Sequence, residues 1–406
     1  MTWRWWAMPA VLLVVGALAQ TSAQEQAPRP GPDEPLTIQA GGRQVRVVLV
    51  AGGLVGPWSI AFLPDGETLL VTESPGRLRI VRGRALAPET VWEVPPPGGR
   101  DVLHGVAVHP DFAENRLVYV SYTKAGEQGL TLAVARGRLD GDRLTGVREI
   151  FVADAWEKAS NAMAGRLRFG PDRTLYVTVG DRDSLFSSDD NRIRIRAQNL
   201  GDHLGKTLRL TDEGGVPPDN PFVGRQDARP EIFTYGHRNG YGLDFHPQTG
   251  ELWQADIGPL GGDRIDILRP GRNYGWPLVS MGRNYTGNLV SDQPWARPGI
   301  ENPRMFWVPS ISPSSIAFYT GDRFPEWRGN LFVGALSGQQ LQRVVIREPG
   351  QGGPGQAEQR QPMLTELGVR FRDVQQGPDG YLYLATETRY GSGAADGMIL
   401  RLEPAD

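Results

Sequence analysis

The chain contains no cysteine, which excludes disulfides, thiolate catalysis and Cys-ligated metals. It also lacks an excess of positive charge. Its 43 Lys and Arg face 46 Asp and Glu, a net charge of -3 that leaves no basic footprint for nucleic acid. Five histidines keep the choice of proton acceptors short. Long apolar runs are missing too: the one at residues 7–19 falls short of the ~20 residues a membrane-spanning helix needs.

That run follows a short segment carrying Arg4 and precedes small residues at 17–19 and 21–23, the pattern of a secretory signal. The expected division is a signal peptide over 1–23, a disordered Pro-rich leader over 24–43 and a single fold over 44–406. A periplasmic or secreted protein without a membrane span in its mature form follows from that reading.

What the chain has in abundance is glycine and proline, 52 and 33 in 406 residues, which favours many turns and short strands. One phrase recurs six times: an alternating strand, a Pro-Asp-Gly-like turn and a second strand rich in Leu, Tyr and Val. It begins near Trp58, Val102, Gly165, Asn239, Ser314 and Phe371. Proline presets φ in such a turn, Asp bonds its own backbone and Gly accepts positive φ. Strands of five or six residues repeating at roughly 50 to 70 residues predict an all-β fold, a six-bladed β-propeller.

In a propeller, residues just before each inner strand gather at one mouth of the central channel. Arg238, Arg370 and Arg372 would bring three guanidinium groups there, beside the amide of Asn239. Guanidinium forks bind carboxylates and phosphates through paired hydrogen bonds. The plainer readings are a solvated strand edge for Arg370 and Arg372, and an Asn-Gly turn for Asn239. Gly258 and Pro259 end a strand, and carbonyls in that turn could ligate Ca²⁺ or simply turn the chain. His109 and His246 precede Pro in repeat turns and read as structural, and His203 as a packing or supporting residue. His104 and His237 stand at entrances and are the candidate bases. The long loops 184–199, 217–232 and 281–306 are expected to wall a cleft on that face.

The phrases RNGYGLDFHPQTGELW, GRNYGWP, FYTGDRFPEWRGNLFVGAL and RFRDVQQGPDGYLYL resemble the soluble pyrroloquinoline-quinone (PQQ) dependent aldose sugar dehydrogenases, the glucose/sorbosone dehydrogenase family. The resemblance runs from about Val47 to Leu402 and implies a six-bladed propeller. It further implies a periplasmic oxidoreductase that converts the C1 hydroxyl of an aldose to a lactone with PQQ and Ca²⁺, passing electrons to an acceptor. On this resemblance Arg238 and Asn239 flank the quinone, Arg370, Arg372 and Asn161 contact the cofactor, Arg100 stands where the family commonly has a cofactor-contacting glutamine, and Gly258 and Pro259 hold the metal.

Two departures bear on catalysis. The family's base histidine falls at Ala162, and its frequent lysine at Ser337. Alanine takes no proton, so His104 is the expected substitute beside Arg238. The competing expectations are a non-catalytic periplasmic propeller that binds a ligand or protein through the same mouth, and a Ca²⁺-dependent lactonase. The second would require carboxylate and Asn ligands converging on a central metal.

Overall fold

The structure is a computed structural model that describes residues 27–94, 102–158, 161–183, 191–293, 295–346 and 358–405. The expected signal segment and Arg100 lie outside these residues. Among them, no helix is long and apolar enough to cross a membrane.

Six antiparallel sheets are present, one for each repeat of the phrase. Their inner strands are Pro57–Phe62, Leu103–Val108, Ala164–Phe169, Gly240–Phe245, Pro313–Phe318 and Arg370–Gln376. Each of these strands packs against the next, and the sixth packs against the first, so the sheets close into a ring. The fold is a six-bladed β-propeller.

The recurring turn works as its residue types dictate. Asp65 Oδ1 accepts the backbone N–H groups of Glu67 and Thr68 at 3.0 and 2.9 Å, and Gly66 takes φ +78°. Asp172 and Asp379 repeat the contact to Thr174 and Tyr381. In blades two and four a histidine takes over. His109 Nδ1 accepts the Asp111 N–H at 3.0 Å, and His246 Nδ1 accepts that of Thr249 at 3.3 Å. Both histidines therefore have the structural role expected of them.

The apolar core lies between neighbouring blades. Tyr319, Phe324, Trp327 and Phe332 of blade five interleave with Phe371, Leu382 and Leu400 of blade six. Trp327 stacks on Phe324 at 4.0 Å, and each fully buried large side chain contributes ~1.5–3 kcal/mol. Polar closure comes from Arg166, which projects from the inner strand of blade three. Its guanidinium donates to Tyr241 O at 2.6 Å, Ser59 Oγ at 3.0 Å, Asp373 Oδ2 at 3.1 Å and Ser314 O at 3.1 Å. It also lies 4.5 Å from the Trp58 ring, so one side chain joins five blades.

The sequence phrase did not show how the ring is sealed. Arg43–Leu54 pairs antiparallel with the C-terminal strand Gly397–Pro404, with Val47 opposite Leu402 and Leu49 opposite Leu400. Leu36–Ala40 then adds the outermost strand of blade six. The disordered leader expected over 24–43 is corrected for residues 36–43, because Ile38 and Ala40 alternate inward and are buried with Val45 and Val47.

Candidate active site

The second strand ends on an acid in three blades, at Glu73, Asp256 and Glu387, and in blade three Asp181 follows two residues after Leu175–Val179. All four are buried. Each faces the entrance of an inner strand, where a carboxylate can organise N–H donors that the sheet leaves without partners.

Asp256 shows the pattern most fully. Its carboxylate accepts the backbone N–H of Arg238 at 2.9 Å and of Asn239 at 2.5 Å. Burial acts to raise its pKa, but His237 and these two amides more than offset it, holding the carboxyl below the usual range. His237 is itself saturated, with Nε2 2.9 Å from Thr234 Oγ1 and Nδ1 3.0 Å from Gln254 Nε2. Its ring stacks on Tyr274 at 4.9 Å. His237 is therefore a support for the Arg238-Asn239 turn rather than a proton acceptor at the mouth.

The Arg238 side chain is 2% exposed and lines a small cavity with Gly258, Gly262, Trp276, Ser280, Met281 and Pro303. Met281 and Pro303 come from the loop 281–306 that was expected to form a wall. Arg238 Nη1 donates to Ile257 O at 2.9 Å and Gly258 O at 3.0 Å. Its Nε and Nη2, and Asn239 Oδ1, are buried without a hydrogen-bond partner. Buried polar atoms normally have partners, so two donors and an acceptor left in one place mark a site shaped for a polar ligand.

Trp276 forms the floor beneath this guanidinium. Its ring lies 5.5 Å from Arg238 and 5.6 Å from Arg194, and its indole N–H donates to Asp181 Oδ2 at 2.7 Å. Arg194 is held in turn by Asp183 at 2.8 Å. Asp181 also receives support through its own amide, which donates to Arg238 O at 2.7 Å. Burial pushes the Asp181 carboxyl up to about 7, against the pull of Arg238. Neither Asp181 nor Trp276 stood out in the sequence. Asp256 and Glu387 end their strands opposite the entrances Gly240 and Arg370, whereas Asp181 lies two residues past Leu175–Val179 and shares no repeat position with them.

Gly258 sits in a turn where a Cβ would lie 2.4 Å from Gly261 O, so no larger residue fits without rearrangement. Its N–H donates to Asp263 Oδ1 at 2.8 Å, and Asp263 Oδ2 also gathers the amides of Ile311 and Ser312. Burial raises the Asp263 carboxyl to about 6. Pro259 is buried beside it.

Arg370 and Arg372 come together, with blade five between them and Arg238. Both bind Glu387 Oε1, Arg370 Nε at 3.0 Å and Arg372 Nε at 2.9 Å, and both lie over the Tyr390 ring. The expected triple positive charge is thus partly cancelled by a buried carboxylate that the sequence reading had not placed. Burial, with Arg372 alongside, lowers the pKa of Arg370.

The blade-three entrance is tightly packed. Ala162 and Ala164 have φ +46° and +58°, and Gly165 has +95°. Two non-glycine residues in the left-handed region are strained, a feature that clusters at functional sites. Arg182 braces the segment by donating to Asn161 O at 2.9 Å. A Cβ on Gly180 would lie 1.7 Å from Ala162 O and 3.2 Å from Asn239 Oδ1, so Ala162 and Asn239 are neighbours across that glycine.

His104 belongs to the wall. It is 1% exposed, its Nε2 lies 2.9 Å from Thr123 Oγ1, and its ring meets Trp58 edge-on at 5.7 Å. It does not line the cavity beside Arg238. Burial and the Thr123 contact fit a packing role. Ser337 Oγ lies 2.8 Å from Ser312 Oγ. His203 Nδ1 accepts the Asp154 N–H at 2.8 Å, the supporting role expected of it.

A closed ring of six blades with a buried, under-satisfied Arg-Asn pair defines a propeller with a candidate site for a polar ligand. The profile of the glucose/sorbosone dehydrogenase family matches residues 54–401, and the chain belongs to that family. Aldose sugar dehydrogenase YliI of Escherichia coli is 36% identical over 370 residues, 89% of this chain and 93% of that protein. Among solved structures, the soluble aldose sugar dehydrogenase of Escherichia coli in its apo form is 35% identical. It has a TM-score of 0.78 and covers 89% of this chain and 99% of that one. The PQQ-bound aldose sugar dehydrogenase of Streptomyces coelicolor is 27% identical with a TM-score of 0.68, covering 88% and 98%.

Proposed function

We propose that the protein is a PQQ-dependent oxidoreductase acting on the C1 hydroxyl of aldose sugars, with a site that lacks the usual base histidine. The observation that carries this reading is the pair of unpartnered donors on Arg238 beside the unpartnered Asn239 Oδ1. These atoms fit a ligand bearing carbonyl and carboxylate oxygens together with an N–H group. The relative whose solved structure holds PQQ supports the choice of ligand. PQQ, when bound, supplies a two-electron acceptor for hydride.

The chain's own contribution is binding and electrostatics. Arg238 and Asn239, held by Asp256, would orient the quinone, and the guanidinium would stabilise negative charge developing on it. Arg370 and Arg372 would receive carboxylates while remaining tied to Glu387, with Asn161 and Arg100 as further contacts. Gly258 and Pro259 would offer carbonyl oxygens to Ca²⁺, a hard cation that takes such ligands. A signal sequence and a periplasmic or secreted location complete the reading.

A second reading, a propeller that binds the quinone or another ligand without turnover, is favoured by Ala162. No proton acceptor stands at that position. The lactonase reading has less support. Among the described residues, the cluster of His237, Asp256 and Asp266 is consumed by internal contacts, including Arg264 on Asp266 at 2.7 Å.

Reconstitution with PQQ and Ca²⁺ tests these readings. A bound-quinone absorption spectrum with sugar-dependent dye reduction supports the dehydrogenase. A spectrum without turnover supports the binder, and no spectrum with no turnover across aldoses overturns both as quinone proteins.

A further inference from the structure

The carbonyl of Gly258 faces two demands. It is offered to a metal in the reading above, yet Arg238 Nη1 already donates to it at 3.0 Å and to Ile257 O at 2.9 Å. We propose that Arg238 and a divalent hard cation are alternative occupants of the Gly258 carbonyl, so that metal binding turns the guanidinium out of its resting seat and toward the mouth. This rests on the metal reading of Gly258 and Pro259.

Three features support the exchange. A Ca²⁺ ion sits ~2.3–2.6 Å from a ligating carbonyl, which would bring it against Nη1, a like charge in a buried setting. The main chain is held, because Asp256 pins the Arg238 and Asn239 amides and Asp263 accepts the Gly258 N–H at 2.8 Å. The side chain can yield, because only Nη1 is engaged: Nε and Nη2 have no partner. The Trp276 face, 5.5 Å from the guanidinium, offers a surface over which it can slide. The resting arginine thereby acts as a placeholder for the metal, and the metal prepares the arginine for an anionic partner.

Isothermal titration of CaCl₂ into quinone-free protein tests this on wild type, Arg238→Gln and Arg238→Lys. Arg238→Gln is expected to bind Ca²⁺ roughly tenfold or more tightly than wild type, since a like charge at contact distance has gone. Arg238→Lys keeps the charge and is expected to stay near wild type. Equal affinity in wild type and Arg238→Gln overturns the exchange while leaving the metal reading intact. Binding by Arg238→Lys as tight as by Arg238→Gln also overturns it, because charge would then not be the competitor. No binding in any of the three overturns the metal reading itself. If Arg238→Gln does not fold, as judged by circular dichroism, tryptophan emission of wild type replaces it. A Ca²⁺-induced change that disappears in Trp276→Phe is expected, and a change that persists in Trp276→Phe counts against the exchange.

Discussion

Arg166 and Asp373 meet at 3.1 Å across the propeller, joining the inner strands of blades three and six. The guanidinium is fully buried, and its remaining donors reach blades one, four and five. Removing one partner of such a pair strands the other charge. Arg166→Met is expected to cost about 3–5 kcal/mol in urea unfolding. A cost below about 1 kcal/mol, the range of a surface pair, would show that the ring does not depend on this contact.

Asp181 makes stability depend on pH. Its carboxyl holds a proton up to about pH 7 in the fold, whereas the ordinary value is 3.8. The folded state therefore binds more protons than the unfolded chain between those two values. Stability is expected to fall as pH rises from near 4 to near 7, then to level off. Thermal melts of wild type and Asp181→Asn check this: the decline should flatten in the variant.

Glu387 holds Arg370 and Arg372 in place and cancels part of their charge. Glu387→Gln is expected to lower stability by about 3 kcal/mol, because the buried Arg372 and the half-buried Arg370 lose their counterion. Affinity for PQQ, read by absorption titration, is expected to hold or rise as the arginines become more available. A fall in affinity would mean that the carboxylate sets the geometry of the fork.

Ala162 lies at a backbone position, φ +46°, that histidine tolerates better than most side chains. Under the dehydrogenase reading, Ala162→His is expected to raise sugar-dependent dye reduction by about 10²- to 10⁴-fold, the usual contribution of a general base. Unchanged turnover alongside an intact quinone spectrum would place proton acceptance elsewhere.

The blades were legible because their turns are local chemistry. Asp65, Asp172 and Asp379 bond amides two or three residues away, and such contacts leave a phrase in the sequence. The Arg238-Asn239 pair was legible for the same reason, standing beside the repeat. What could not be read depends on partners distant in sequence. The Asp181 contact to Trp276 spans 95 residues, and the Arg166 contact to Asp373 spans 207. His104 shows a related limit: position at an entrance does not say what a ring meets, and this one meets Thr123 and Trp58.

The pairing of Arg43–Leu54 with Gly397–Pro404 makes an early strand wait for a late one. Contacts that distant carry the largest loop-closure cost, so blade six completes late in folding. Until it does, the C-terminal strand presents a row of unsatisfied N–H and C=O groups that any extended chain can occupy. The seam is thus where self-association would start, and where a peptide copying residues 43–54 would compete with the protein's own Arg43–Leu54 strand.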